Sequence, residues 1–342
     1  MRAIVIHAAG DLRVEERQAE PVGPGEVAVR IEAGGICGSD LHYFRHGGFG
    51  AVRLREPMIL GHEIAGTVAE LGSGVTGLAV GERVAVNPSR PCRHCRFCFR
   101  GQPNQCLNMR FYGSAMPMPH VQGGFRERLV CNAAQCVPAK AASTSELVLA
   151  EPLAVALHAI SRAGPLPGRR VLVTGCGPIG ALVAVAARHA GAAEVVVTDV
   201  VDEPLAVARR LGADRAVNTA AEPNALAPDA ADKGRFGVMV ECSGNERALR
   251  AGLDVVEPRG TVVQLGLGGD VSLPQSVVVA KELSIVGSFR FHDEFAQAVA
   301  LIDGRRVDLA PLVSGRYAVE DAAAAFELAS DRRRAMKVQI AF

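Results

Sequence analysis

Short runs in which apolar and polar residues alternate mark the first 149 residues: EVAVRIEA (26–33), EIAGTVAEL (63–71) and ERVAV (82–86). A period of two puts every second side chain on one face, so each run predicts a half-buried strand. Gly and Pro are frequent between the runs and predict tight turns. The sum is an antiparallel, barrel-like β-rich domain. From about residue 170 the pattern changes. VLVTG (171–175), EVVVTD (194–199), RAVN (215–218), GVMVEC (237–242), TVVQLG (261–266) and LSIVGS (283–288) are mostly apolar, and helical stretches lie between them. About six such strands alternating with helices predict an α/β, doubly wound parallel sheet. The tail ends in a helix-like EDAAAAFELASD and a strand-like MKVQIAF. It is short enough to pack back on the first domain. The expected domains are therefore residues 1–155 with 292–342, and residues 156–291.

Composition narrows the class. A chain of 342 residues can bury a large core, and two domains are expected. The formal net charge is +1, and the one block of like charge is Arg332, Arg333 and Arg334, read as a solvated helix end. Nucleic acid is thereby disfavoured as a partner, because it would require a basic face. The most apolar stretch, residues 171–187, is broken by three Gly and a Pro, so it reads as strand–turn–helix and not as a membrane span. The N-terminal segment lacks a long apolar core with a small-residue cleavage site, and the nine cysteines are an odd number. Reduced thiols and metal ligands in the cytoplasm are the expectation.

Four of those cysteines, Cys92, Cys95, Cys98 and Cys106, lie in PCRHCRFCFRGQPNQC. Four thiolates on one tight loop suit a closed, tetrahedral zinc site that holds structure. A ferredoxin-type cluster would place its fourth cysteine three residues after the third and follow it with Pro, whereas here the gap is seven and Leu107 follows. Disulfides would need an oxidising compartment. A second set, Cys37, His62, Glu63 and Glu151, combines thiolate, imidazole and carboxylate, the chemistry of a zinc site with an open position. Each of these residues also has an ordinary reading as a small buried residue, a core histidine or a helix-start carboxylate, and spacing does not prove that they converge.

The turn after the first parallel strand reads Gly175-Cys176-Gly177-Pro178-Ile179-Gly180, opens the helical run IGALVAVAARHAG and is followed by Asp199 at the end of the next strand. Glycines there let a pyrophosphate approach the helix N-terminus, and the carboxylate accepts hydrogen bonds from an adenosine ribose. A 2′-phosphate would meet the charge of Asp199, so NAD is expected over NADP.

GHE-x-x-G, the four-cysteine lobe, GxGPxG with its Asp, and EPLAVALHA occur in the order found in the zinc-dependent medium-chain dehydrogenases, and the resemblance covers essentially the whole chain. The chain resembles the polyol branch, with sorbitol, xylitol and threonine dehydrogenases, and above all its idonate-oxidising members, through residues 104–125 and 287–295 and the AMKVQIAF ending. The resemblance implies a GroES-like catalytic domain, a Rossmann NAD-binding domain, two Zn per chain and a homo-oligomer, dimer or tetramer. It implies oxidation of a secondary alcohol of a sugar acid, L-idonate to 5-ketogluconate, with a sorbitol- or xylitol-type polyol substrate as the alternative. A catalytically inactive nucleotide-binding relative is the reading from another class.

By position, the resemblance makes Cys37 and His62 catalytic zinc ligands, with Glu63 and Glu151 as glutamates that ligate directly or through water. It makes Ser39 the hydroxyl that starts proton release and Tyr43 a residue of the polyol pocket. Leu265, Gly266 and Leu267, and Phe289, Arg290 and Phe291, match segments beside the nicotinamide, with Arg290 also a substrate contact. Two departures stand out. The aromatic after Arg290 is Phe291 where Tyr is usual, and Pro204 replaces the basic residue expected five positions beyond Asp199. Arg110 is a further candidate for pairing with a sugar-acid carboxylate.

Overall fold

The structure, a computed structural model, describes all 342 residues and divides into two compact units, Met1–Glu151 with Phe295–Phe342, and Pro152–Glu294. In the first unit the alternating runs become strands of one seven-stranded sheet. Its order is Cys136–Ala139, Arg83–Val86, Glu63–Leu71, Glu26–Gly35, Lys337–Ala341 and Val313–Ala318, with Arg128–Asn132 also paired to Glu26–Gly35. Neighbours run antiparallel except the last pair, Val313–Ala318 with Lys337–Ala341, which is parallel. Register shifts near Val29 and Ala33 bend the Glu26–Gly35 strand, as bulges do.

A smaller sheet of Asp11–Glu16, Arg2–Ala8 and Met58–Ile59 lies in the same unit. The inward residues form one core that includes Ile4, Ile6, Val29, Ile31, Ile64, Val84, Phe125, Phe326, Val338 and Ile340. The tail thus supplies a strand to the first unit, Gln339 opposite Gly35 and Ala341 opposite Ala33.

The second unit is a six-stranded, all-parallel sheet in the order Arg215–Asn218, Glu194–Asp199, Arg170–Thr174, Phe236–Glu241, Val256–Gln264, Ser284–Gly287. Numbered along the chain this is 3-2-1-4-5-6, the dinucleotide-binding arrangement whose strand order reverses between strands 1 and 4. The middles of the central strands are apolar because both faces are buried, which is why they read as continuous runs, and polar residues stand at their C-terminal ends. The Val256–Gln264 strand begins five residues before the sequence pattern suggests. Its first half, Glu257-Pro258-Arg259, bulges, with Arg259 at φ 62°, so it reads as a turn. No helix is long and apolar enough to cross a membrane.

Candidate metal and dinucleotide sites

Cys37 ends the connection from the Glu26–Gly35 strand and stands immediately before the helix Gly38–His46, while His62 immediately precedes, and Glu63 opens, the Glu63–Leu71 strand paired beside Glu26–Gly35. That pairing brings one ligand atom from each of the three to within 4.8 Å of the others. His62 is 5% exposed and its Nδ1 is buried with no hydrogen-bond partner. Burial disfavours the imidazolium, yet the charges of Asp40 and Cys37 outweigh it and hold the His62 pKa well above its usual value. A thiolate, an imidazole and a carboxylate around an unsatisfied buried nitrogen, in surroundings that favour a cation, fit a zinc ion. Ser39 Oγ lies 3.5 Å from His62 Nε2, and the Phe111 ring packs against the imidazole.

Glu151, in the first turn of the helix Ala150–Ala163, lies outside the three-residue group but is close enough to interact with its charges. Burial pushes its carboxyl up to about 7, opposed by His62 and helped by Glu63.

Two residues that the sequence reading did not single out complete these surroundings. Asp40, fully buried, accepts from Cys37 N at 3.0 Å and Gly61 N at 3.2 Å, and its Oδ1 is 3.8 Å from His62 Nδ1. It ties both ligand-bearing segments together. Lys337 donates to both oxygens of Glu63, at 2.7 and 2.9 Å, and to Ile36 O at 3.2 Å. Burial works against its ammonium, and the Glu63 and Cys37 charges more than offset that, raising its pKa. The carboxylate also explains Gly35: a Cβ there would stand 2.2 Å from Glu63 Oε2. The Asp40 signal was available in the sequence as CGSD, because a carboxylate at the third helical residue reaches back to the residue before the helix. Lys337 is 274 residues from its partner, and no local pattern announces it.

The four-cysteine lobe is assembled as its spacing suggests. Sulfurs bound ~2.3 Å from one ion in a tetrahedron stand ~3.8 Å apart. Here Cys95 and Cys98 are 3.6 Å apart, Cys106 and Cys92 3.4 Å, and Cys95 and Cys106 4.0 Å. No disulfide joins the cysteines of the lobe. Backbone N–H groups of Cys92 and Asn108 point at Cys106 Sγ, at 3.1 and 3.4 Å. The N–H of His94 brings Cys92 down to about 6, whereas burial and the neighbouring thiols push Cys98 up to about 12. Four cysteine sulfurs this close suit one tetrahedral cation.

In the second unit two glycines of the turn, Gly175 and Gly180, have a steric reason. Gly175 sits at φ 82°, and a Cβ on it would lie 2.7 Å from Ser243 N. A Cβ on Gly180 would lie 1.9 Å from Gly175 O, so glycine lets helix and strand close together. At Gly177, which precedes the helix Pro178–His189, nothing lies within 4 Å of that position, and the backbone is open to an approaching group. Pro178 takes the first helical position, where its missing N–H costs nothing, and Ile179 follows it. Asp199 ends its strand with the carboxylate fixed by the N–H groups of Cys176 (2.7 Å), Val200 (2.7 Å) and Val201 (3.1 Å).

The remaining candidates are placed differently. Tyr43 is 2% exposed, its hydroxyl accepting from Ala115 N at 3.0 Å and its ring against Phe49. Arg110 is exposed and shares a two-residue strand with Phe111; alternation aims it away from the face that packs on His62. Leu267 is 81% exposed and Phe289 41%, while Phe291 is buried at 2%. Arg290 stacks its guanidinium 4.8 Å over the Phe289 ring, from a backbone at φ 58°.

Comparison with known proteins gives the class. A model of the alcohol dehydrogenase GroES-like domain matches residues 23–141, and one of the zinc-binding dehydrogenases matches residues 178–304. The chain belongs to the zinc-binding alcohol dehydrogenase family, as an oxidoreductase with a GroES-like domain and a Rossmann domain. Within that family it is 43% identical to the L-idonate 5-dehydrogenase (NAD(P)(+)) of Escherichia coli (strain K12), over 92% of this chain and 91% of the relative. It is 38% identical to the sorbitol dehydrogenase of Gallus gallus, over 95% and 92%. The crystal structure of the Escherichia coli L-idonate 5-dehydrogenase superposes with a TM-score of 0.96 at 40% identity, covering 100% of this chain and 98% of the other.

Proposed function

We propose that the protein oxidises a secondary alcohol of a sugar acid with NAD, L-idonate at C5 to 5-ketogluconate. The observation that carries the reading is the buried Cys37–His62–Glu63 group, a ligand set that suits an ion with an open position. When bound, zinc supplies a Lewis acid that lowers the pKa of a coordinated hydroxyl, and NAD supplies the hydride acceptor. The protein supplies the rest. Cys37 and His62 hold the ion, and Glu63 or Glu151 completes its ligands. Asp40 and Lys337 fix the geometry of that set. Ser39 Oγ, 3.5 Å from His62, takes up the substrate proton as it releases its own hydroxyl proton toward solvent. The Cys92–Cys95–Cys98–Cys106 lobe holds a second, structural zinc, giving two per chain.

Asp199, followed by Asp202 and Glu203 at the next helix start, supports NAD over NADP, since three carboxylates disfavour a 2′-phosphate. Leu265–Leu267 and Phe289–Phe291 are assigned to the nicotinamide by family resemblance, and Arg290 to the sugar-acid carboxylate. Cysteines grouped as metal ligands and joined by no disulfide favour a reducing, cytoplasmic compartment. A homo-oligomer follows from the family alone.

The test is kcat/KM for L-idonate, sorbitol and xylitol, with NAD and with NADP. A charge-assisted pair is worth about 1.5–3 kcal/mol, so L-idonate should lead by roughly ten- to a hundredfold, and Arg290→Ala should shrink that lead. Sorbitol oxidised as well as L-idonate would make this a neutral-polyol dehydrogenase. A higher value with NADP would overturn the role given to Asp199.

A further inference from the structure

At the place where the strand order of the parallel sheet reverses, one row of residues crosses the three central strands: Thr174, Glu241 and Gln264 are direct cross-strand partners. Glu241 is fully buried, and five donors converge on its carboxylate. Ser243 N donates at 2.7 Å, Gly244 N at 3.1 and 3.0 Å to the two oxygens, Gln264 Nε2 at 2.9 Å and Thr174 Oγ1 at 3.5 Å, and the Ser243 hydroxyl makes a short bond. Its carbonyl accepts from Leu265 N at 2.9 Å and Gly266 N at 2.8 Å. One residue therefore anchors, through side chain and main chain, the two connections that leave the neighbouring strands.

Those connections touch the glycine turn. A Cβ on Gly175 would meet Ser243 at 2.7 Å, and one on Gly266 would meet Gly244 N at 2.3 Å. Gly175, the Ser243–Gly244 turn and Gly266 form a stack of backbone on backbone with no room for a side chain, and the Glu241 carboxylate fixes its middle layer. We propose that Glu241 is a positioning residue of the dinucleotide site, setting the spacing between the Gly175–Gly180 turn and the Leu265–Leu267 segment. This inference rests on the dinucleotide reading of that turn. A carboxylate is favoured because two obligate donors, Ser243 N and Gly244 N, are fixed against it and Gly244 N reaches both oxygens; an amide in either orientation would aim its NH2 at that backbone N–H.

The experiment measures NADH binding by fluorescence titration and steady-state KM for NAD in native, Glu241→Gln, Glu241→Asp and Ser243→Ala protein. Met239→Ala serves as a control for plain core loss, since Met239 is fully buried in the same strand and packs on Gly252. Glu241→Gln should raise KM for NAD and weaken NADH binding at least tenfold, with kcat at saturating NAD changed less than threefold and zinc content unchanged. Glu241→Asp, which keeps the charge, should lose less. If Glu241→Gln does not fold, Ser243→Ala decides, with an expected rise in KM of two- to fivefold. Native binding by either Ser243→Ala or a folded Glu241→Gln overturns the proposal, and so does an equal rise in KM for Met239→Ala. Native protein that fails to bind NADH at all would instead overturn the dinucleotide reading itself.

Discussion

At Glu63 two demands meet in one side chain. Its carboxylate belongs to the group with Cys37 and His62 and is also held by both bonds from Lys337, with Gly35 leaving the room. In the absence of a metal the Lys337 ammonium balances the Glu63 carboxylate; with zinc present, the ion shares that task. Removing one partner of a buried ion pair costs about 3–5 kcal/mol, because the other charge remains buried and unpaired. Lys337→Met should therefore destabilise chelated protein by an amount of that order and zinc-loaded protein by clearly less, whereas Lys337→Arg should be milder in both. Denaturant unfolding of the two forms checks this. Equal losses with and without zinc would mean that the pair serves packing and not the charge of the metal group.

Among the elements, what was legible followed from local periodicity. Residues 63–71, 194–199 and 215–218 are strands over the limits their patterns mark, because alternation or a continuous apolar run is a property of the strand itself. The start of the Val256–Gln264 strand was lost because Pro258 and a residue at positive φ look like a turn. Convergence was legible where ligands are close in sequence, as in the lobe, and illegible where pairing of distant strands creates it, as for Lys337. Tyr43 and Arg110 show the complementary limit: family position names them, whereas the contacts they make, Tyr43 with Ala115 N and Arg110 beside Phe111, come from the fold.

The lobe tests this element on its own terms. Its helix is four residues long, Arg96–Phe99, with no buried side chain, so packing contributes little and metal ligation is the expected support. Cys92→Ser with Cys95→Ser should release one of two zinc equivalents by elemental analysis. It should also open the lobe to proteolysis near residues 92–106. Two equivalents retained in that double variant would contradict the closed-site assignment.

For the whole molecule, the order of the chain is not the order of the fold. The first unit is built from both ends, and its sheet is continuous only because Lys337–Ala341 lies between Glu26–Gly35 and Val313–Ala318. That last strand carries Val338 and Ile340, 1% and 0% exposed, the fully buried Gln339 bonded to Ser145, and Lys337 itself. Each buried aliphatic side chain is worth about 1.5–3 kcal/mol, and the Lys337–Glu63 pair adds its own term. Loss of them all is comparable with the ~5–15 kcal/mol that holds a domain together. The parallel sheet, by contrast, draws every strand from within Pro152–Glu294. A chain ending at Arg334 should therefore lose the metal group of Cys37, His62 and Glu63 and all alcohol oxidation, while its second unit still binds NADH. Zinc analysis, activity and NADH fluorescence on the truncated chain check each arm. A truncated protein that stays soluble, keeps two zinc equivalents and turns over substrate would show that the terminal strand is a covering piece and that the first unit closes without it.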